Sequence, residues 1–229
     1  MLDINQHKLI LVQILKEIYS DISIASLLGF KGGTAVYLFY NLPRFSVDLD
    51  FNLLDIKRKD DVFHSVQEIL DKLGKIKNQR EKQATLFFLL SYEEKERNIK
   101  VEISKRIFPD RYEVKNYLGI SMLVMRKEDM FAHKLVALLE RKNIANRDIF
   151  DLWFFMKNNW DINKEIIELR TSMDFKKYLH KCIKKVEIIN EKYILQGLGE
   201  ILDDKFKNWA KHNLKKELLF FLSFYYENY

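Results

Sequence analysis

Asp48 and Asp50 stand two residues apart in the run Val47 to Leu53, where Val47, Leu49 and Phe51 alternate with Asp48, Asp50 and Asn52. That period predicts a strand with both carboxylates on one face, about 6 to 7 Å apart along the chain. Two such carboxylates can bind hard cations. Magnesium, which prefers oxygen ligands and is commonly shared between one or two carboxylates and substrate phosphates, suits them. An exposed polar strand face would give the same pattern. Glu102, between Val101 and Ile103, is a third acid on an expected strand. On a strand beside Asp48 and Asp50 it would reach the same cations, and three carboxylates suit a two-ion in-line displacement; a solvent-facing strand residue is the other reading. Ahead of the acid pair, Gly32, Gly33 and Thr34 follow a short apolar run. Glycines let backbone approach a ligand closely, the N-terminus of a following helix attracts phosphate, and the Thr34 hydroxyl could bond the same phosphates. An ordinary strand-to-helix turn remains the alternative.

The elements that would position these residues follow from hydrophobic periodicity. Residues 7 to 19 predict an amphipathic helix, 27 to 31 a short strand, 34 to 40 a helix broken at Pro43 and Arg44, and 59 to 73 a helix with one apolar stripe. Ala84 to Tyr92 and Ile99 to Ile103 predict a hairpin across the charged stretch Glu93 to Asn98, and the sheet should end between residues 118 and 125. From Lys127 the pattern turns helical, over 127 to 142, 147 to 158 and further helices. The expected fold is α+β, with a mixed sheet and helices in a first domain, residues 1 to 126, and a helical bundle in a second, residues 127 to 229.

Composition narrows the class. With 48% hydrophobic residues, 7 Gly and 2 Pro, the chain has the content of a folded, helix-rich protein. Cys182 is the single cysteine, so no disulfide framework or multi-cysteine zinc site can form within one chain, and a reducing cytoplasm fits. The five histidines lack metal-ligand spacing, and Cys182 has no evident catalytic partner. Met1 to Lys8 lacks the features of a secretion signal, and no apolar run approaches a membrane span, so no membrane partner is expected. Leu218 to Tyr226 reads as bundle core. The net charge of +6 is concentrated in residues 175 to 216, which hold 11 Lys or Arg against 5 acids. That segment is either a solvated face or a contact for nucleic acid.

The run KGGTAVYLFYNLPRFSVDLDF, residues 31 to 51, resembles the signature of the AbiEii/AbiGii-type nucleotidyltransferases, toxins of abortive-infection and type IV toxin-antitoxin systems within the DNA polymerase beta-like superfamily. Gly32, Gly33, Thr34, Arg44, Ser46, Asp48 and Asp50 carry the likeness, with Glu102 as the later acid. A second block, HKLVALLERKNIANRDIFDLWFF over residues 133 to 155, also resembles the family at Lys134, Arg141, Arg147, Asp148 and Asp151. The resemblance implies Asp48, Asp50 and Glu102 as catalytic residues and ligands of two magnesium ions. It implies nucleotide contacts from Lys31, Gly32, Gly33, Thr34, Ser46, Lys134 and Asp148, with Asp148 binding nucleotide or positioning Lys134. From spacing alone, the preferred reading of the second block is a set of intrahelical ion pairs that stabilise the bundle. The implied activity is transfer of a nucleoside monophosphate from an NTP to an acceptor hydroxyl, with RNA such as the tRNA 3′ end as acceptor and a cognate antitoxin as partner. A protein-modifying nucleotidyltransferase and a non-catalytic nucleotide- or nucleic-acid-binding module are the alternatives.

Overall fold

Asp3 opens the first helix, α1 (Ile4–Ser20), by accepting hydrogen bonds from the backbone amides of Asn5 and Gln6 at 3.0 and 3.1 Å, as an N-cap carboxylate does. The computed structural model describes residues 3–93 and 98–229. After α1 come β1 (Leu28–Lys31), α2 (Gly32–Tyr40), β2 (Leu49–Leu53), α3 (Lys59–Leu73), β3 (Lys75–Lys82), β4 (Thr85–Ser91), β5 (Ile99–Ser104), β6 (Tyr112–Tyr117) and β7 (Ile120–Met125). The chain then runs through α4 (Lys127–Glu140), α5 (Asn146–Lys157), α6 (Lys164–Thr171), α7 (Phe175–Glu187) and α8 (Asp204–Asn228). This is the expected α+β class.

The seven strands form one mixed sheet in the order β3-β4-β5-β2-β1-β7-β6. β2 runs parallel to β5 and antiparallel to β1, which pairs in parallel with β7. One sheet face is covered by helices. Phe63 of α3 packs on Phe88 of β4, with ring centroids 4.8 Å apart, and Tyr19 of α1 lies 6.4 Å from Phe51 of β2. Leu49, Phe51, Phe88, Val101 and Ile103 are buried, whereas Asp50, Lys100, Glu102 and Ser104 are only half-buried on the alternate positions. The strand period thus turns the acids away from the α1/α3 layer.

The hairpin expected from Ala84 to Ile103 forms, with β4 antiparallel to β5. Glu94 to Arg97, within the expected connection, lie outside the described residues, as do Met1 and Leu2. Two strands were absent from the sequence expectation. In β3, KIKNQREK, every residue but Ile76 is exposed, so it has no buried face to impose alternation. β6 is likewise mostly polar, and it joins β7 through Leu118 and Gly119, both at positive φ (51° and 82°), the geometry of a two-residue hairpin turn.

The chain divides into two compact units. One runs to Asn41 and resumes over Phe45–Met125; the other comprises Leu42–Arg44 with Arg126–Tyr229. In the helical unit α4 packs on α5, α6 and α7, while α5 and α7 pack on α8. Its core holds Phe150, Trp153, Phe206 and Trp209. The Trp153 and Trp209 rings lie 4.1 Å apart, and both indole N–H groups donate to Glu217, at 2.8 and 3.2 Å. The run Leu218 to Tyr226 divides along α8, with Leu218 and Leu222 buried and Phe220 and Phe224 exposed.

Candidate active site

Strand register sets the row that carries the chemistry. Asp50 of β2 is paired with Glu102 of β5 on one side and with Lys31 of β1 on the other, and Glu102 is paired in turn with Phe87 of β4. Cross-strand partners share a face at about 5 Å, so Lys31, Asp50 and Glu102 form a cation and two carboxylates in line. Asp48 lies one residue before β2, in the extended approach to it, half-buried while Val47 and Leu49 are buried. Both of its oxygens face Lys100 of β5. The Lys100 amide donates to Oδ1 at 3.3 Å and its ammonium to Oδ2 at 3.2 Å. Among the described residues no group of three or more His, Cys, Asp or Glu side chains is arranged to hold a metal ion. Lys100 was not singled out in the sequence, although its parity with Glu102 in Ile99 to Ser104 places it on the same face.

The glycine turn abuts this row. Gly32 has φ +80°, and a Cβ there would lie 2.6 Å from Asp50 Oδ2, so the position requires glycine for both its backbone and its neighbour. Gly33 is buried as the second residue of α2. The N-cap of α2, Lys31, makes no side-chain capping bond, so no side chain from that position covers the positive helix end. Thr34 is buried, and its hydroxyl donates to the backbone carbonyl of Asp48. Its one proton is therefore directed to the polypeptide rather than outward, and it ties α2 to the acid pair. Ser46 is half-buried in the extended stretch before Asp48.

A second brace on that stretch comes from His7, which is fully buried. Nε2 lies 2.9 Å from the Val47 carbonyl and Nδ1 2.8 Å from the Tyr92 hydroxyl. A carbonyl only accepts, so Nε2 carries the proton and Nδ1 accepts from Tyr92. Nothing in the sequence marks His7, because its partners are 40 and 85 residues away. Farther along the open face, Asn52 donates to Asp110 and to the Tyr112 hydroxyl, both at 2.7 Å.

The second predicted block forms an ion cluster inside the helical unit. Lys134 of α4 reaches across to α5, 2.8 Å from Asp148 and 3.0 Å from Asp151. Arg44 grips Asp151 with two bonds of 2.6 and 2.7 Å, and Arg141 pairs with Asp148 at 2.7 Å. The Lys134 pairs thus join α4 to α5, and Arg44 adds a partner from outside any helix, in contrast to the intrahelical pairs that spacing alone suggests. Asp148 and Asp151 are buried. Burial opposes the charge on Lys134, but Asp148 and Asp151 outweigh it and hold its pKa above the usual lysine value. Burial likewise opposes ionisation of Asp148, and Lys134 with Arg141 overcomes it, holding the carboxyl below its ordinary range. Cys182 lies in the helical core, where burial pushes its thiol pKa well up and leaves it unreactive.

A family model described as the nucleotidyl transferase AbiEii toxin of a type IV toxin-antitoxin system matches residues 13–219. The chain belongs to this family. It is therefore an AbiEii nucleotidyl transferase, and family membership implies an NTP substrate and a divalent metal. Two solved structures share the AbiEii chain's fold. JHP933 from Helicobacter pylori is 23% identical with a TM-score of 0.64, over 100% of this chain and 94% of that one. A further H. pylori protein, assigned as a nucleotidyltransferase, is 23% identical with a TM-score of 0.65, over 98% and 95%. No curated protein matches the sequence. The donor set suits a hard cation: Asp50 and Glu102 offer carboxylate oxygens in register, and a cationic group, the Lys100 ammonium, already sits on Asp48.

Proposed function

We propose that this AbiEii nucleotidyl transferase moves a nucleoside monophosphate from an NTP to the hydroxyl of an RNA, with a tRNA 3′ end as the acceptor. Residues 1–126 form the nucleotidyltransferase domain and 127–229 the helical domain of this reading. The observation that carries it is the row Lys31, Asp50, Glu102 beside the Gly32 turn. Asp48, Asp50 and Glu102 would hold magnesium, two ions in this scheme, which supplies charge stabilisation to the attacking and leaving oxygens. The Gly32–Gly33 backbone and the start of α2 receive the triphosphate, with Lys31 neutralising it from the strand side. Ser46 stands close in sequence to Asp48 and is assigned to the nucleotide by the resemblance. Glu102 takes the proton of the acceptor hydroxyl as its oxygen bonds to the α-phosphorus. The bond from that phosphorus to the bridging oxygen breaks, and pyrophosphate leaves. On the family resemblance Lys134 contacts the nucleotide phosphates, with Asp148 holding its ammonium in place.

Family membership in a toxin-antitoxin system supports a cognate antitoxin as partner, and a small regulator-like protein encoded by the neighbouring gene is the expected candidate. Among the described residues no helix is long and apolar enough to cross a membrane. The acceptor is tested by incubating the protein with each labelled NTP, magnesium and either total RNA or total protein. A labelled RNA band that disappears in Asp50→Asn, while that variant keeps its circular dichroism spectrum, is the expected result. A labelled protein band replaces the RNA assignment with protein modification, and labelling that persists in Asp50→Asn removes Asp50 from the site.

A further inference from the structure

We propose that Lys100 is a positioning residue whose ammonium competes with a divalent cation for Asp48, so that the ion must displace it before Asp48 can join Asp50 and Glu102. The inference rests on the reading of those three acids as the cation site. Both oxygens of the Asp48 carboxylate are engaged by one residue, through the Lys100 amide at 3.3 Å and its ammonium at 3.2 Å. Lys100 precedes Glu102 by two on β5, so both side chains emerge on the face that carries Asp50. The Lys100 ammonium is thus held on Asp48, on the sheet face that also carries Asp50 and Glu102.

The lock is weak enough to open. The Lys100 and Asp48 side chains are 33% and 19% exposed, so the pair is partly wetted, and such pairs lose little when replaced by a better cation. A divalent ion offers twice the charge and accepts several oxygen ligands at once. The amide bond survives the exchange, because only the ammonium must swing away, and it keeps Asp48 next to β5. Displacement leaves the Lys100 ammonium two residues from Glu102 on the same strand. The exchange sets a threshold for metal occupancy.

The test is binding of Mn2+ to the nucleotide-free full chain, read from the loss of the free-ion electron paramagnetic resonance signal. Lys100→Met should bind Mn2+ more tightly by up to about fivefold, the range of a partly exposed ion pair. Lys100→Arg keeps the charge and should stay close to the wild type. Lys72→Met removes an exposed lysine of α3, in the layer on the opposite face of the sheet, and should leave Mn2+ affinity unchanged. In an Asp48→Asn background, Lys100→Met should have no further effect. Unchanged or weaker binding in Lys100→Met, or equal tightening in Lys72→Met, overturns the proposal while the cation site stands. Wild-type binding that is insensitive to both Asp48→Asn and Asp50→Asn overturns the cation site itself, and the role of Lys100 with it.

Discussion

Gly32 is where backbone conformation and site geometry meet. Its φ of +80° strains any L side chain, and the missing Cβ makes room for the Asp50 carboxylate. Gly32→Ala should therefore lower stability by about 1–2 kcal/mol from the left-handed backbone alone. It should also reduce nucleotidyl transfer more than that loss explains, because Asp50 must move. Urea denaturation and labelled-NTP turnover measure the two effects; full turnover in the folded variant would show that Asp50 needs no such space. The acid pair could be read from the sequence because alternation of buried and half-buried residues is a local signal, running through Val47, Asp48, Leu49 and Asp50. The partners of Thr34 and Asp48 could not. A hydroxyl's bond to a carbonyl 14 residues on, or a lysine's to an acid 52 residues back, is set by strand register, which no single stretch contains.

At the scale of elements, α1 to α5 and the strands with a buried face follow from periodicity, whereas β3 does not, since charge on an edge strand replaces alternation. The α4–α5 pairing shows why spacing alone misassigned the second block: Lys134 finds its acids on the neighbouring helix, 14 and 17 positions ahead. That cluster gives the helical unit a pH dependence of known sign. The Asp148 pKa is depressed by folding, so its stabilisation is complete above the ordinary aspartate value of about 3.9 and is lost as pH falls through the lower folded value. Lys134, with its pKa raised, contributes below the ordinary lysine value of about 10.4 and stops as pH climbs through its folded value. Asp148→Asn should cost about 3–5 kcal/mol at neutral pH, because it leaves a largely buried ammonium short of one partner. It should also flatten the acid limb of the stability profile. Urea midpoints between pH 2 and 7 check this, and a variant with the wild-type acid limb would place the titration elsewhere.

Across the whole molecule, charge is unevenly spread. Lys177, Lys181 and Lys184 are exposed on α7 at spacings of four and three, which puts them on one helix face. If RNA is the acceptor, reversing all three to Glu should weaken binding and lower the slope of log affinity against log salt by at least about 2. Filter binding across a salt series measures it, and an unchanged slope would mark the face as merely solvated. The partition of the chain has a further consequence. Arg44 belongs with the helical unit although it stands four positions ahead of Asp48, and its buried partner Asp151 is synthesised 107 residues later. A ribosome releases the strand-bearing half first, so the stretch leading into the acid pair meets its anchor only after α5 has emerged. For a toxin, that ordering ties completion of the segment feeding the reactive acids to the synthesis of α5, and it makes a chain cut at Met125 a poor substitute for the whole.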